Sequence, residues 1–358
     1  MAAMPARPSV SSAVALLVLA AAALALPLAI GERPFELRMA TLILLFAVMG
    51  QGWNVLGGFA GQVSIGHGLY FGLGAYTTVL LALRLDVDPW LGLVAGALVP
   101  ALCAVLVGIP CFRLRGHYFV IATLVVAESV FQIFTVWEWV GSAVGLELPV
   151  KPEGLANFQF HRDKTPYYYI ALAMLVVVTG ALWWLRRSPL GFVLRAIRDD
   201  EDAVRGLGFS PQAYKSIAMA ISGAILGVAG VFHAQYVLFV DPFSVLGLHI
   251  SVLVALFAIM GGVGTLAGPI LGAAVLVPLS EYARIHFSGS GRNVDLLIYG
   301  FLIMVIAVYR PDGLMGLWQR ARVAAIRLTS GRKGSDHAPD VHLPARRRVA
   351  RHDPRPSA

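Results

Sequence analysis

Residues 188–215 read SPLGFVLRAIRDDEDAVRGLGFSPQAYK, a polar island between two apolar stretches that are each long enough to cross a bilayer. The island carries four consecutive acids, Asp199 to Asp202, and several arginines. A membrane protein does not need a charged segment between two spans to hold together. The island is therefore predicted to contact something outside the membrane.

The composition of the chain excludes an ordinary soluble domain. Of its 358 residues, 58% are hydrophobic and only 13% are charged, whereas soluble domains carry about 25% charged residues. The apolar runs do not alternate with polar residues as the strands of a membrane barrel do. The composition therefore predicts an all-α polytopic membrane protein.

About 20 apolar residues cross the hydrocarbon core as a helix, and this criterion selects about ten spans. They cover 11–30, 38–56, 68–83, 90–110, 117–137, 167–185, 212–237, 248–262, 267–285 and 293–309. The first resembles a signal peptide, but its apolar run is longer than a usual signal core and a second span follows closely. We therefore expect a retained anchor.

Basic residues set the expected orientation, because cytoplasmic loops carry an excess of Lys and Arg. With both termini in the cytoplasm, the loop containing Arg113 and Arg115, the island and the segment after Arg310 all face inward. The net charge of +8 is thus interpreted as a topology signal and not as a sign of nucleic-acid binding. The predicted regions are a cytoplasmic tail at 1–10, a membrane domain at 11–310 with a cytoplasmic helix at 188–210, and a basic, disordered cytoplasmic tail at 311–358.

The island is predicted to form one amphipathic helix. Ser188 and Pro189 suit its start, and Gly206 and Gly208 suit its end. The apolar face holds Leu190, Val193, Leu194, Ile197 and Val204, and the opposite face holds Arg195, Arg198, Asp199, Asp202 and Arg205. The residues alone leave two possibilities open, a helix resting on lipid headgroups and a helix that docks a cytoplasmic partner.

Two Gly-rich segments interrupt the spans, one at 58–68 and one at 261–273. Their glycines include Gly58, Gly61 and Gly66 in the first, and Gly261, Gly262, Gly264 and Gly268 in the second. Broken backbone at membrane depth must be buried in protein or line a cavity. Paired interruptions in the two halves indicate a transport path, and tight helix packing is the alternative.

Five polar residues are candidates for a substrate path. Glu128 lies in the middle of a span, where an ionisable group is costly and indicates function, and Gln132 lies one turn further on the same face. Gln62, Ser64 and His67 lie in the first Gly-rich segment. The alternatives are interhelical hydrogen bonding for Glu128 and satisfaction of broken helix ends for the other three.

Motifs for catalysis are missing from the sequence. It has no phosphate-binding G-x-x-x-x-G-K-[ST] loop, so this chain is not expected to hydrolyse ATP. It also lacks H-E-x-x-H and G-x-S-x-G, and Cys103 and Cys111 do not have metal-type spacing. We therefore expect neither an enzyme nor a metal or cofactor bound to this chain.

The chain resembles the permease subunits of branched-chain amino-acid ABC importers. The resemblance is carried by NVLGGFAGQVSIGHGLYFGLGAYTT (54–78), FRLRGHYFVIATL (112–124), the island, GGVGTLAGPILGA (261–273) and VYRPDGLMG (308–316). Importer permeases have a cytoplasmic E-A-A-x-x-x-G pattern that docks into the ATPase. Here Asp202-Ala203-Val204 followed by Gly208 fits that pattern, with Asp in place of Glu and Val in place of the second Ala.

The resemblance implies a multi-pass subunit of the bacterial inner membrane that works by alternating access. Coupling to the ATPase would involve Arg195, Arg198, Asp199, Asp202, Ala203 and Gly208. The implied partners are two ATPase subunits that bind ATP and Mg, a second related permease chain and an extracytoplasmic binding protein, which would carry most of the selectivity. Two alternatives stay open: a permease for urea, short amides or another small metabolite, and an ion-coupled secondary transporter with Glu128 as its ion site.

Overall fold

The computed structural model describes residues 21–31, 33–287 and 313–316, which are predominantly helical. The helices are α1 Ala21–Ile30, α2 Pro34–Asn54, α3 His67–Leu85, α4 Pro89–Cys111, α5 His117–Val136, α6 Thr165–Arg187, α7 Pro189–Asp199, α8 Glu201–Gly206, α9 Pro211–Val237, α10 Pro242–Val245, α11 Leu248–Gly261 and α12 Gly268–Phe287. Residues Val55–Phe59 extend α2 as one π-helical turn, and Glu138–Val140 and Ser142–Val144 form 3₁₀ turns. Strands β1 (Leu146–Glu147) and β2 (Phe239–Val240) pair antiparallel.

Seven stretches in the described residues are long and apolar enough to cross a membrane. They are Pro34–Phe59, His67–Leu85, Pro89–Cys111, His117–Val136, Thr165–Arg187, Pro211–Val237 and Pro242–Gly261. They correspond to the second to eighth predicted spans, so a multi-pass helical membrane protein is confirmed. The described parts of the predicted first and ninth spans hold the shorter apolar helices Ala21–Ile30 and Gly268–Tyr282, and residues 11–20 lie outside the described residues. The tenth, at 293–309, and most of the predicted tails lie outside the described residues.

Proline begins several of these helices, because its missing N–H is not needed in the first turn. Pro34, Pro89, Pro189 and Pro211 each stand at the start of a helix. The predicted helix start at Ser188 and Pro189 is thus found in the structure, where it begins α7.

Glycines pack α3, α4 and α9 at backbone distance. A Cβ added at Gly74 on α3 would lie 2.2 Å from the carbonyl oxygen of Gly227 on α9. A Cβ at Gly227 would in turn lie 2.1 Å from the carbonyl oxygen of Gly96 on α4. Such close approach is how helices associate in lipid, where the hydrophobic effect does not drive them together. These three helices therefore form a dense centre around which the others are arranged.

Helices α4, α5 and α6 expose most of their surface, whereas α2, α3, α9 and α11 are mostly buried. On α5 the outward stripe includes Tyr118, Ile121, Val125 and Val136, each more than half exposed. The first three recur at intervals of three and four residues, and Val136 follows eleven residues later, about three helical turns on, so all four lie on one face. That face is suited to contact lipid or another membrane chain.

Contacts between loops place them at two opposite ends of the helix bundle. At one end, Arg115 Nη2 lies 3.1 Å from Asp202 Oδ1, which joins the loop after α4 to α8. At the other end, β1 pairs with β2 and Lys151 Nζ lies 2.7 Å from Asp86 Oδ1. We call the first the coupling end and the second the loop end. The alternation of loops agrees with that of the predicted spans, from the second to the eighth.

The long loop between α5 and α6 is ordered by its own polar groups at the loop end. Buried Gln159 accepts a hydrogen bond from Lys151 N at 2.7 Å and donates to the carbonyl oxygen of Pro149 at 3.1 Å. Glu153 Oε1 accepts from the backbone N–H groups of Arg162 and His161 at 2.6 and 2.8 Å. Those two bonds hold the pKa of Glu153 below its ordinary value. These hydrogen bonds therefore give the loop a defined conformation.

Candidate functional site

The coupling segment, residues 188–210, contains two helices where the sequence predicted one. Asp200 has extended backbone (φ −156°), and its Oδ1 accepts hydrogen bonds from the N–H groups of Asp202 and Ala203 at 3.0 and 2.9 Å. An aspartate in this position begins a new helix. The acidic run therefore ends α7 and starts α8, and the prediction of one continuous helix is wrong. Ser188 begins α7 as predicted, accepting from Gly191 N.

The exposed side of α8 carries the residues that fit the docking pattern. Ala203 is exposed, and the Asp202 carboxylate lies 3.1 Å from Arg115 and 3.3 Å from Arg205. Exposed ion pairs of this kind contribute little to stability, so these groups remain accessible to a partner. Gly208 has φ +88°, a conformation that glycine adopts without strain, and it turns the chain towards α9.

The buried side of the coupling segment fixes it to the bundle. Leu194, Ile197 and Val204 are buried, as the predicted apolar face requires. Glu201 Oε2 lies 2.5 Å from Lys215 Nζ, and the Lys215 side chain on α9 is almost completely buried. A buried ion pair with one partner removed leaves an uncompensated charge. Helix α8 is therefore attached to α9 by charge as well as by packing.

Arg195 is half-buried and Arg198 is exposed, as the predicted polar face requires, and both donate to backbone carbonyl groups. Arg195 Nε donates to the carbonyl oxygen of Gly191 at 3.1 Å, and its Nη2 donates to that of Arg186 at 3.1 Å. Arg198 Nη1 donates to the carbonyl oxygen of Gly58 at 2.8 Å. Arg195 thus bonds to the first turn of α7 and to the last turn of α6. Arg198 instead reaches the first Gly-rich segment.

The two Gly-rich segments lie against each other at the coupling end. A Cβ at Gly58 would lie 2.7 Å from the backbone nitrogen of Gly264, and one at Gly261 would lie 1.7 Å from the carbonyl oxygen of Gly268. Gly66 lies against α5, since a Cβ there would be 2.4 Å from the carbonyl oxygen of Thr123. The backbone is non-helical at 60–66 and 262–267. Both sequence interpretations, broken backbone and tight packing, therefore apply to these segments.

Two buried amides on α2 hold the second Gly-rich segment. Asn54 Oδ1 accepts from Gly264 N at 2.7 Å, and its Nδ2 donates to the carbonyl oxygen of Thr265 at 2.8 Å. Gln51 Nε2 donates to the carbonyl oxygen of Leu266 at 2.9 Å. Both side chains are completely buried. They satisfy backbone groups that a helix would have paired internally.

Sequence reasoning missed Gln51 and Asn54, although both are polar residues inside a predicted span. A buried amide in an apolar helix is costly unless it is bonded, so their presence in MGQGWN (49–54) was the available signal. The neighbouring Trp53 acts similarly, since its Nε1 donates to the carbonyl oxygen of Ser64 at 2.8 Å. One turn of α2 therefore holds both Gly-rich segments.

Two candidates in the first Gly-rich segment, Ser64 and His67, have side-chain hydrogen bonds within the protein. Ser64 Oγ accepts from Gly66 N at 3.2 Å, and His67 Nε2 lies 3.0 Å from Ser222 Oγ on α9. Ser64 and His67 are completely buried, and Gln62 is half-buried. Contact between a solute and Ser64 or His67 would require the segment to open.

Glu128 and Gln132 lie on the outward side of α5. Gln132 Nε2 donates to Glu128 Oε1 at 2.9 Å. The pair borders an open groove of about 600 Å³ that also includes Ser129 and Leu248. Glu128 is five residues beyond Thr123, where α5 meets Gly66, which is about 7.5 Å along a helix axis. The structure thus leaves this polar pair open on the surface and does not bring it into one pocket with Ser64 and His67.

Comparison with known proteins identifies close sequence relatives. A family model described as "Branched-chain amino acid transport system / permease component" matches residues 36–307. "High-affinity branched-chain amino acid transport system permease protein LivM" of Escherichia coli (strain K12) is 32% identical over 325 residues, which cover 84% of this chain and 74% of the relative. The protein of the same name from Salmonella typhimurium is 30% identical over 84% of this chain and 73% of the relative. No solved structure matches this chain.

We predict that Asn54→Ala destabilises the protein by roughly 2 to 6 kcal/mol, because it leaves Gly264 N and the Thr265 carbonyl without partners and each buried unsatisfied group costs about 1–3 kcal/mol. Thermal unfolding of the purified protein in detergent measures this change. Asn157→Ala removes one hydrogen bond from an exposed asparagine to the Pro152 carbonyl and serves as the matched control. Equal melting temperatures for the two variants would show that the Asn54 amide does not hold the segment.

Proposed function

We propose that this chain, which belongs to the branched-chain amino acid transport system permease family, is the membrane-spanning permease subunit of a binding-protein-dependent ABC importer. It moves branched-chain amino acids into the cytoplasm by alternating access. The observation that carries this proposal is the exposed α8, which presents the docking pattern Asp202-Ala203 between two membrane-spanning helices. The relatives, whose names specify branched-chain amino acid transport, support the choice of solute.

A separate ATPase drives the transport, because this sequence has no phosphate-binding loop of its own. The proposed assembly has two ATPase subunits with bound ATP and Mg, a second related permease chain and an extracytoplasmic binding protein. In that assembly the coupling end faces the cytoplasm. Arg113, Arg115, Arg186 and Arg187 at that end support this orientation by the positive-inside bias.

The finer topology is part of the same proposal. Ten spans place both termini in the cytoplasm of a bacterial inner membrane, with the segment after residue 311 as a basic cytoplasmic tail. The described spans alternate as this topology requires, and the ordered loop at 137–164 then faces outward, where the binding protein delivers its solute. Trp137 and Trp139 at the start of that loop are about half exposed, which suits the membrane interface.

The substrate path runs along the outward side of α5, between this chain and its permease partner. Glu128 and Gln132 support this placement, because a half-exposed carboxylate in a span is costly against lipid and acceptable beside a wet path. Gln62, Ser64 and His67 would reach the path when the first Gly-rich segment opens. A small amino acid carries an ammonium and a carboxylate, so polar groups along the path compensate its charges.

Uptake into proteoliposomes that contain the complete complex tests the proposal. We expect ATP-dependent uptake of leucine, isoleucine and valine when the binding protein is present. Uptake of urea or short amides in place of these amino acids would assign a different solute to the same machinery. Uptake that continues without ATP and without the ATPase subunits would instead favour an ion-coupled transporter.

Replacing Ala203 with Arg is predicted to leave the protein inserted but to reduce ATP-dependent uptake about tenfold or more. A bulky charge on the exposed side of α8 prevents close approach of the ATPase, and an unpaired interfacial charge costs several kcal/mol. Co-purification of the ATPase subunits and solute-stimulated ATP hydrolysis measure the effect. Ala156→Arg, the same change on the exposed loop at the other end, should retain the ATPase. Normal coupling in Ala203→Arg would exclude α8 as the docking site.

Glu128→Gln removes a charge from α5 and nearly preserves the shape of the side chain. If the carboxylate serves the path, the rate of uptake should fall severalfold while the ATPase subunits still co-purify and hydrolyse ATP. Glu138→Gln, which removes an exposed carboxylate just beyond the end of α5, is the control. Initial rates of radiolabelled leucine uptake give the comparison. An unchanged rate in Glu128→Gln would make this carboxylate structural.

A further inference from the structure

Arg198 connects the coupling segment to the Gly-rich segments through a charged hydrogen bond. Its Nη1 donates to the carbonyl oxygen of Gly58 at 2.8 Å, and Gly58 lies in the π-helical turn that extends α2. Hydrogen bonds from a charged donor are roughly twice as strong as neutral ones. Turns of π-helix are frequent at functional sites. A cytoplasmic helix is thus joined to the end of a membrane span.

Glycines on two sides leave space for this arginine. A Cβ at Gly61 would lie 2.9 Å from Arg198 Cγ, and a Cβ at Gly264 would lie 2.5 Å from Arg198 Nη1. Both glycines have positive φ, +70° and +78°, which other residues rarely adopt. The Arg198 side chain therefore lies between the first and the second Gly-rich segments, close to both.

The two Gly-rich segments beside Arg198 are also connected to each other by hydrogen bonds. Asn54 bonds to the backbone of Gly264 and Thr265, and Asn54 immediately precedes the π-helical turn that contains Gly58. A displacement of the guanidinium acts on this joined unit and through it on the ends of α2, α11 and α12. Movement of Arg198 would therefore be transmitted to the ends of these three helices.

The other charged contacts of the coupling segment lead elsewhere. Arg195 bonds to carbonyls within 186–191. Beyond the break at Asp200, Glu201 binds Lys215 on α9. The polar contacts of the two halves therefore reach different parts of the bundle, Arg198 on α7 the first Gly-rich segment and Glu201 on α8 the helix α9, while α7 also packs against α9.

We infer that Arg198 is a positioning residue for transport, which transmits movement of α7 to the two Gly-rich segments and so links the ATPase to the substrate path. This inference rests on the proposed function, since it requires an ATPase that moves the coupling segment. It assigns Arg198 a role directed into the membrane domain and distinct from docking. The exposed side of α8 holds the ATPase, and Arg198 carries the movement inward.

The test uses the assembled complex in proteoliposomes with single fluorescent labels. One sample carries the label on α7 through Phe192→Cys, and a second sample carries it on the first Gly-rich segment through Val63→Cys. Both side chains are exposed, 69% and 43% respectively, so the labels do not disturb the packing. Cys103 and Cys111 are replaced by alanine in all samples. The measured quantities are the ATP-dependent change in the fluorescence of each label and the amount of solute imported per ATP hydrolysed.

With Arg198 present, ATP is expected to change the signal of both labels. Arg198→Ala should keep the change at position 192 and lose it at position 63, with the solute imported per ATP falling about tenfold or more, in line with the loss of one charge-assisted hydrogen bond. Arg187→Ala is the matched control. It removes an arginine at the same end whose guanidinium stacks on Trp183 at 3.7 Å, and it should behave as the parent protein does.

A preserved ATP response at position 63 in Arg198→Ala would overturn the inference, as would a silent label at that position while the parent complex imports solute. A merely structural role would lower the melting temperature without separating the two labels. If the complex with Arg198→Ala does not assemble, Arg198→Met is used in its place, because methionine keeps most of the aliphatic part of the arginine side chain. A parent complex that shows no ATP-dependent uptake would contradict the proposed function itself, which is a different outcome from equal labels in a working importer.

Discussion

The coupling end depends on two hydrogen bonds of the Asn54 side chain, which accepts from the Gly264 N–H and donates to the Thr265 carbonyl oxygen. In a membrane every backbone group must find a partner inside the protein. The irregular backbone at 262–267 cannot supply those partners itself, and a completely buried amide on α2 does so. The broken segments are consequently held to a span and to each other as one unit.

The dense centre and the coupling segment both adjoin that unit. Glycines bring α3, α4 and α9 to backbone contact, and interiors packed in this way resist deformation. Charged side chains of the coupling segment reach the bundle at three places, Arg198 at the Gly-rich segments, Glu201 at Lys215 on α9, and Asp202 at Arg115 in the loop after α4. A force on the coupling segment is therefore divided between the dense centre and the joined Gly-rich segments.

Much of this architecture follows from local sequence properties. The length of the apolar runs predicted the described spans from the second to the eighth, and Ser188 with Pro189 predicted the start of α7. The break at Asp200 was not predicted, because four consecutive acids continue a helix as readily as they cap a new one. The contact that Arg198 makes with the Gly58 carbonyl involves glycines at 61 and 264, far away in sequence, so helical spacing alone could not predict that contact. Gln51 and Asn54 were readable as costly polar groups in a span, but their partners were not.

The most direct measurement of this account is an electron cryo-microscopy structure of the assembled complex, determined without nucleotide and with ATP bound. We predict that Arg198 stays within hydrogen-bond distance of the Gly58 carbonyl in both states, and that Asn54 stays bonded to Gly264, while α7 and both Gly-rich segments shift together relative to α3, α4 and α9. A structure in which α7 moves and the Gly-rich segments stay in place, with the bond between Arg198 and Gly58 broken, would contradict it.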